Sequence, residues 1–139
     1  MQWKKEYSIG IEVIDEQHQA VFERLLAIEN ALTKRDPWHV LGFLIDQLTD
    51  CLAHHLAVEG ALLTILGYPQ ADEHRAAHEL LSQAVASLES RLRNSRSPQD
   101  LVEFFDRWFV GHVLADDLQF VPHLRAVMAR CRSDEATDA

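Results

Sequence analysis

Two pairs of side chains stand four residues apart in a way that suits metal coordination: His55 with Glu59, and His74 with His78. On a helix, i,i+4 partners project from one face and can aim at a single point. Neutral imidazole nitrogens and carboxylate oxygens are ligands for first-row transition metals. His18 and His112 occupy inward positions of the same kind, so five imidazoles and one carboxylate are candidates for one site. The chain has eight histidines among 139 residues, and histidine is the commonest metal ligand. Burying these groups unpartnered would cost about 1 to 3 kcal/mol each when neutral and several kcal/mol when charged. Metal ions would satisfy them together.

Proline and glycine fall between long stretches of helical periodicity, and these stretches must carry the candidate ligands. A first helix is expected from about Asp15 to Arg35. A second starts at Pro37 behind Asp36 as cap and ends at Leu66, where Gly67-Tyr68-Pro69 cannot continue it. A third runs from Gln70 to Arg93. Ser97-Pro98 opens a fourth, which reaches about Asp116, and Pro122 opens a short fifth. Residues 1–132 then form one bundle domain and 133–139 a polar tail.

Each long helix has an apolar seam with steps of three and four. Helix one gives Ile14, His18, Val21, Leu25, Ile28 and Leu32; helix two gives Leu41, Ile45, Leu48, Leu52, His55, Glu59, Leu62 and Leu66. Helix three gives His74, His78, Leu81, Val85, Leu88 and Leu92, and helix four gives Leu101, Phe105, Trp108 and His112. Histidine interrupts every seam. Short connections favour antiparallel neighbours, hence an all-α, up-down-up-down four-helix bundle with an N-terminal extended arm. In that topology the six candidate ligands meet at one end.

Length and composition narrow the function classes. A chain of 139 residues is one ordinary domain, and 47% apolar with 25% charged residues is a globular composition. Thirteen Lys and Arg against 22 Asp and Glu give a net charge of −9, a field that repels a phosphate backbone and argues against a nucleic-acid partner. No window approaches the ~18 continuous apolar residues of a membrane span, and the N-terminus lacks a signal-peptide pattern, so a cytoplasmic protein without membrane insertion is expected. Cys51 and Cys131 cannot build a disulfide framework and are expected to be inert thiols. His39 and His123 are expected at the surface, and His54 beside the site or exposed.

The sequence resembles the hemerythrin family, in its single-domain bacterial form, over nearly its whole length. The residues that carry the resemblance are Trp3, Ser8-Ile9-Gly10-Ile11, Ile14-Asp15-Glu16-Gln17-His18, His55-x-x-x-Glu59, Tyr68-Pro69, His74-x-x-x-His78 and His112-x-x-x-x-Asp117. All of the family's ligand positions are filled. The resemblance implies two iron ions with an oxo or hydroxo bridge: His74, His78 and His112 on one, His18 and His55 on the other, with Glu59 and Asp117 bridging. Such ligands occupy about 11 of the ~12 positions of two octahedral ions, leaving one on the two-histidine iron for dioxygen. Reversible dioxygen binding for storage, transport or delivery is the implied function, not enzymatic turnover, in a monomer that hands the gas to an oxygen-consuming recipient protein. A packed apolar wall would keep out water and external protons. Its candidates are Phe22, Leu56, Leu63, Phe105, Trp108 and Leu114.

Regular geometry conflicts with one of these ligands. His112 and Asp117 lie roughly 140° out of line on an ideal helix, and Asp116 has the better i,i+4 spacing. A π-type turn or local unwinding is therefore expected between them. Gly60, Leu63 and Phe120 depart from the residues common in the family, which bears on packing around the pocket and not on the ligands. Three rival functions remain. A di-iron oxidase or peroxide-handling enzyme would typically carry paired Glu-x-x-His motifs, which are absent. An oxygen or redox sensor would have to act through a partner, and a zinc or manganese site could use the same ligands.

Overall fold

The computed structural model describes residues 1–138, excluding the side chains of Trp108 and of residues 133–138. An N-terminal arm with one 3-10 turn, Lys5–Tyr7, leads into α1 (Glu12–Thr33), α2 (Trp38–Ile65), α3 (Ala71–Ser95) and α4 (Pro98–Phe104). The fourth rod then continues as two π-helical segments, Phe105–Val110 and His112–Asp117, and as α5 (Leu118–Asp138). Among the described residues there is no strand. Packing of α1 on α2 and α4, and of α3 on α2 and α4, closes the expected four-helix bundle.

Helix ends follow local chemistry, with shifts of a few residues from the expected bounds. α1 starts three residues before Asp15, whose carboxylate accepts hydrogen bonds from the Ser8 hydroxyl (2.7 Å) and from the amides of Ile9 (2.8 Å) and Gly10 (3.1 Å). Asp15 thus ties the arm to the helix's first turn instead of capping from outside it. Gly10 has φ +83° and sits against the Arg125 guanidinium, where a Cβ would come within 2.6 Å. Pro37, not Asp36, is the cap residue of α2, and that helix stops before Gly67, whose φ is +62°. Between α3 and α4 the left-handed conformation falls on Arg96, and Pro98 opens the next helix as expected.

The expected break between a fourth and a short fifth helix does not occur. α5 begins at Leu118 and carries Pro122 inside it. Proline lacks the N–H that would bond the carbonyl four residues back, and here the loss comes within the first turns after a π segment, where the ladder is already being re-registered. The expected tail coincides with the last residues of α5 up to Asp138; its side chains, and Ala139, lie outside the described residues.

The core divides into two ends. Leu25, Ile28, Leu41, Ile45, Leu48, Leu88, Leu92 and Leu101 fill the end away from the histidines with hydrocarbon alone. The other end holds the buried polar side chains: His18, His55, Glu59, His74, His78, His112 and Asp117. On α2 the seam ends on Leu63, fully buried, while the expected Leu62 and Leu66 are half-buried.

Candidate metal centre

Each long helix contributes to the polar end from the face its periodicity selects. His18 comes from the second turn of α1, His55 and Glu59 from late α2, and His74 and His78 from the first turns of α3. His112 and Asp117 begin and end the second π segment. An i→i+5 turn is what brings residues five apart onto one face, and the His112 Nε2 lies 3.1 Å from Asp117 Oδ2. Asp117 is fully buried, whereas Asp116 is half-buried and points to a surface cleft. The expected irregularity is therefore present, as a π-helix.

The two carboxylates each divide their oxygens between two groups of imidazoles. Glu59 Oε1 is 2.5 Å from His74 Nε2 and 2.9 Å from His78 Nε2, while Oε2 is 3.1 Å from His55 Nε2. Asp117 Oδ1 is 3.2 Å from His74 Nε2, and Oδ2 is 2.8 Å from His18 Nε2. Two overlapping sets of buried donors result, His18, His55, Glu59, His112 and Asp117, and Glu59, His74, His78, His112 and Asp117. His112 belongs to both, and its Nε2 is 3.0 Å from that of His55.

Hydrogen bonding cannot satisfy this arrangement. The Nε2 of His55 faces those of His18 at 3.1 Å and His112 at 3.0 Å, yet a ring nitrogen carries at most one proton. Both oxygens of Asp117 and Oε2 of Glu59 are buried without a hydrogen-bond partner despite imidazoles within reach, because those approaches are off the hydrogen-bond direction. Ligand atoms ~2.1 Å from one ion and at right angles to each other would be about 3.0 Å apart, the separation seen between these nitrogens. The donor set fits first-row transition-metal ions.

Electrostatics point the same way. Burial pushes Glu59 upward, but contacts with His55, His74 and His78 outweigh it and hold the carboxyl well below its ordinary range. Burial likewise works against Asp117, and His112, His18 and His74 keep it low. His74 is raised to about 9, its burial overcome by Asp117 and Glu59, while burial dominates at His55 and lowers it. Two anionic carboxylates in a dry pocket thus draw positive charge, from protons or from metal.

Surrounding residues complete the centre, several of them invisible to periodicity. Gln17 Oε1 accepts a hydrogen bond from His55 Nδ1 at 2.8 Å, fixing the tautomer that presents Nε2 to the cluster. Gln17 is off the apolar seam, and in the sequence only its place in the Ile14-Asp15-Glu16-Gln17-His18 motif points to it. Trp3 and Tyr7 of the arm pack edge-on against Phe22, Phe105 and Phe109, and Phe109 lies 6.1 Å from the His18 ring. Phe120 packs edge-on against His74 and Tyr68. His54 and His39 are exposed, but His123 is half-buried and bonds the Leu66 carbonyl at 2.8 Å, so it ties α5 to the end of α2 instead of lying free on the surface. Cys51 is half-buried, with its thiol pushed up by burial, and Cys131 is exposed; both are free.

The apolar wall differs from the expected one. A cavity of about 10 Å³ beside His18, His55 and His112 is lined by Val21, Leu52, Leu81, Phe104 and Phe109. Phe22, Phe105 and Leu63 are buried and Leu56 and Leu114 half-buried, but none lines this cavity. The side chain of Trp108 lies outside the described residues. The π segment starting at Phe105 causes the shift, because with i→i+5 spacing Phe104 and Phe109 share a face, where an α-helix would align Phe105 with Trp108.

Among the described residues no helix is long and apolar enough to cross a membrane. The Hemerythrin HHE cation binding domain matches residues 9–124. The chain is 31% identical to a bacteriohemerythrin of Stenotrophomonas maltophilia over 125 residues, 89% of this chain and 81% of that protein. It is 27% identical to one of Pseudomonas aeruginosa over 135 residues, 96% and 88% of the two chains. A bacteriohemerythrin of Clostridium acetobutylicum is 26% identical over 128 residues, 86% and 97%. With a match that spans both the arm's junction and all of the clustered ligands, the chain belongs to the hemerythrin family.

Proposed function

We propose that the chain holds a pair of iron ions at this centre and binds dioxygen reversibly there, storing or delivering the gas without turning it over. The observation that carries this reading is the division of the Glu59 and Asp117 oxygens between two imidazole groups. His74 and His78 would hold one ion and His18 and His55 the other, with His112 assigned to the first by family resemblance and Glu59 and Asp117 shared. Iron when bound supplies the electrons that dioxygen takes up and gives back.

The protein's own groups make such binding reversible. Five imidazoles and two carboxylates leave few ligands for water, and Gln17 keeps His55 in one tautomer. The aromatic layer of Trp3, Tyr7, Phe22, Phe105 and Phe109 covers the His18 side of the centre and withholds solvent protons. A monomer in the cytoplasm, with residues 1–132 as the functional unit and an oxygen-consuming protein as recipient, is the setting this role suits.

An anaerobic-to-aerobic optical titration of the reduced protein, with iron counted per chain, tests the proposal. Two irons and a charge-transfer band that appears with dioxygen and disappears on its removal are expected. A zinc or manganese load as purified with no iron uptake, or stoichiometric oxidation of a substrate with loss of the band, would overturn it.

A further inference from the structure

Every residue lining the cavity beside His18, His55 and His112 is buried, so a ligand must cross a packed layer to reach it. Its volume, about 10 Å³, is near the minimum that holds a single water. On the side of Phe109 the layer is deep: Trp3, Tyr7, Phe22 and Phe105 all stack behind that ring. On the side of α3 it is one side chain thick. Leu81, only 3% exposed, lines the cavity and also the floor of a surface groove of about 230 Å³ between α3 and the π-helical stretch.

Three small residues stand in the lining of that groove, which Arg107 and Asp116 complete. Ala77 on one wall and Gly111 and Ala115 on the other leave it open, and Leu80 stands half-exposed at its edge. A Cβ built on Gly111 meets nothing within 4 Å, and that residue has ordinary helical angles, φ −59° and ψ −46°. Glycine here is not required by backbone conformation. Its effect is to keep the groove open where His112, shared by groove and cavity, forms the opposite side of the barrier.

We propose that dioxygen reaches the cavity through the groove between α3 and the π-helical stretch, with Leu81 as the gate that limits both its arrival and its escape. The inference rests on the proposed function, since it takes the cavity as the place where the gas docks. A leucine swings between staggered rotamers about two bonds, and its displacement both opens the layer and enlarges the cavity behind it. Such a gate alters the barrier and leaves the two end states alone, so it changes association and dissociation rates by one factor.

Stopped-flow measurement of dioxygen association and release on the iron-loaded protein tests this with Leu81→Ala and Gly111→Leu. Leu81→Ala should raise both rates roughly tenfold with little change in their ratio, and Gly111→Leu should lower both several-fold. A second readout needs no metal. In the metal-free protein under dissolved dioxygen, NMR relaxation of the Leu81 and Ala77 methyls should be enhanced above that of the equally buried Leu25, and Gly111→Leu should remove the enhancement at Leu81. Rates within twofold of wild type in both variants, a changed affinity at constant association rate, or relaxation at Leu81 no greater than at Leu25 would overturn the gate. Wild-type protein that takes up no iron pair would instead defeat the proposed function, and the metal-free relaxation experiment would still decide the route.

Discussion

The Nδ1 of His55 lies 2.8 Å from the Oε1 of Gln17, on the side of the ring opposite the cluster. That bond decides which nitrogen of His55 has a free lone pair. The Nδ1 atoms of His18 and His112 are buried without a partner, so among these three rings only His55 is oriented in this way. Gln17→Leu should weaken iron binding by roughly 10- to 100-fold, the usual effect of losing an outer partner of a ligating histidine. Chelator competition measures it; an affinity unchanged within a factor of two would show that packing alone orients the ring.

The π segment predicts opposite results for adjacent aspartates. Asp117→Asn removes a buried anion that faces His18, His74 and His112, and should leave the chain with one iron or none. Asp116→Asn alters a half-buried group beside the surface cleft and should leave two. Elemental analysis of the purified variants distinguishes them, and the reverse pattern would mean that the fourth rod is α-helical in the loaded protein.

Stability of the metal-free chain should fall as pH rises from about 6.5 to about 9. His74 is raised from 6.5 to about 9, and His112 is raised too, so each stabilises the fold below its unfolded value and loses that contribution as pH climbs through its folded one. The other shifted groups of the cluster act lower: His55 is depressed from 6.5, Glu59 from 4.5 and Asp117 from 3.8. Iron-loaded protein, whose histidines are neutral ligands, should show no such decline. Thermal melting at pH 6.5, 8 and 9, with and without chelator, checks the sign.

Asp15→Ala should release the arm. The variant loses the acceptor for Ser8, Ile9 and Gly10, which should cost roughly 1 to 3 kcal/mol. Because Trp3 and Tyr7 travel with the arm, the aromatic cover over His18 should loosen as well. Urea denaturation measures the first effect, and faster spontaneous oxidation of the iron-loaded protein the second. A variant as stable and as slowly oxidised as wild type would show that packing of Trp3 and Tyr7 holds the arm unaided.

Much of this centre is legible in the sequence, and the reason is periodicity. A residue on an apolar seam at steps of three and four must face the core of a bundle, so His18, His55, Glu59, His74, His78 and His112 could be placed inward and at one end. They are all buried there. Asp117 was different: spacing favoured Asp116, and only family resemblance favoured its neighbour. A π turn has no simple compositional mark, since one extra residue per turn is stabilised by what the side chains do after the helices meet. The other π segment, Phe105–Val110, likewise brings Phe104 and Phe109 onto the cavity side.

What the sequence alone determined is thus that His18, His55, Glu59, His74, His78 and His112 face inward, because local helical geometry dictates facing. Tertiary structure decided which oxygen of Glu59 and Asp117 serves which imidazoles, that Gln17 holds His55, and that Leu81 separates the cavity from the groove. Each of these depends on the rotation and depth at which separate helices pack, and no spacing within one helix encodes the distance to another.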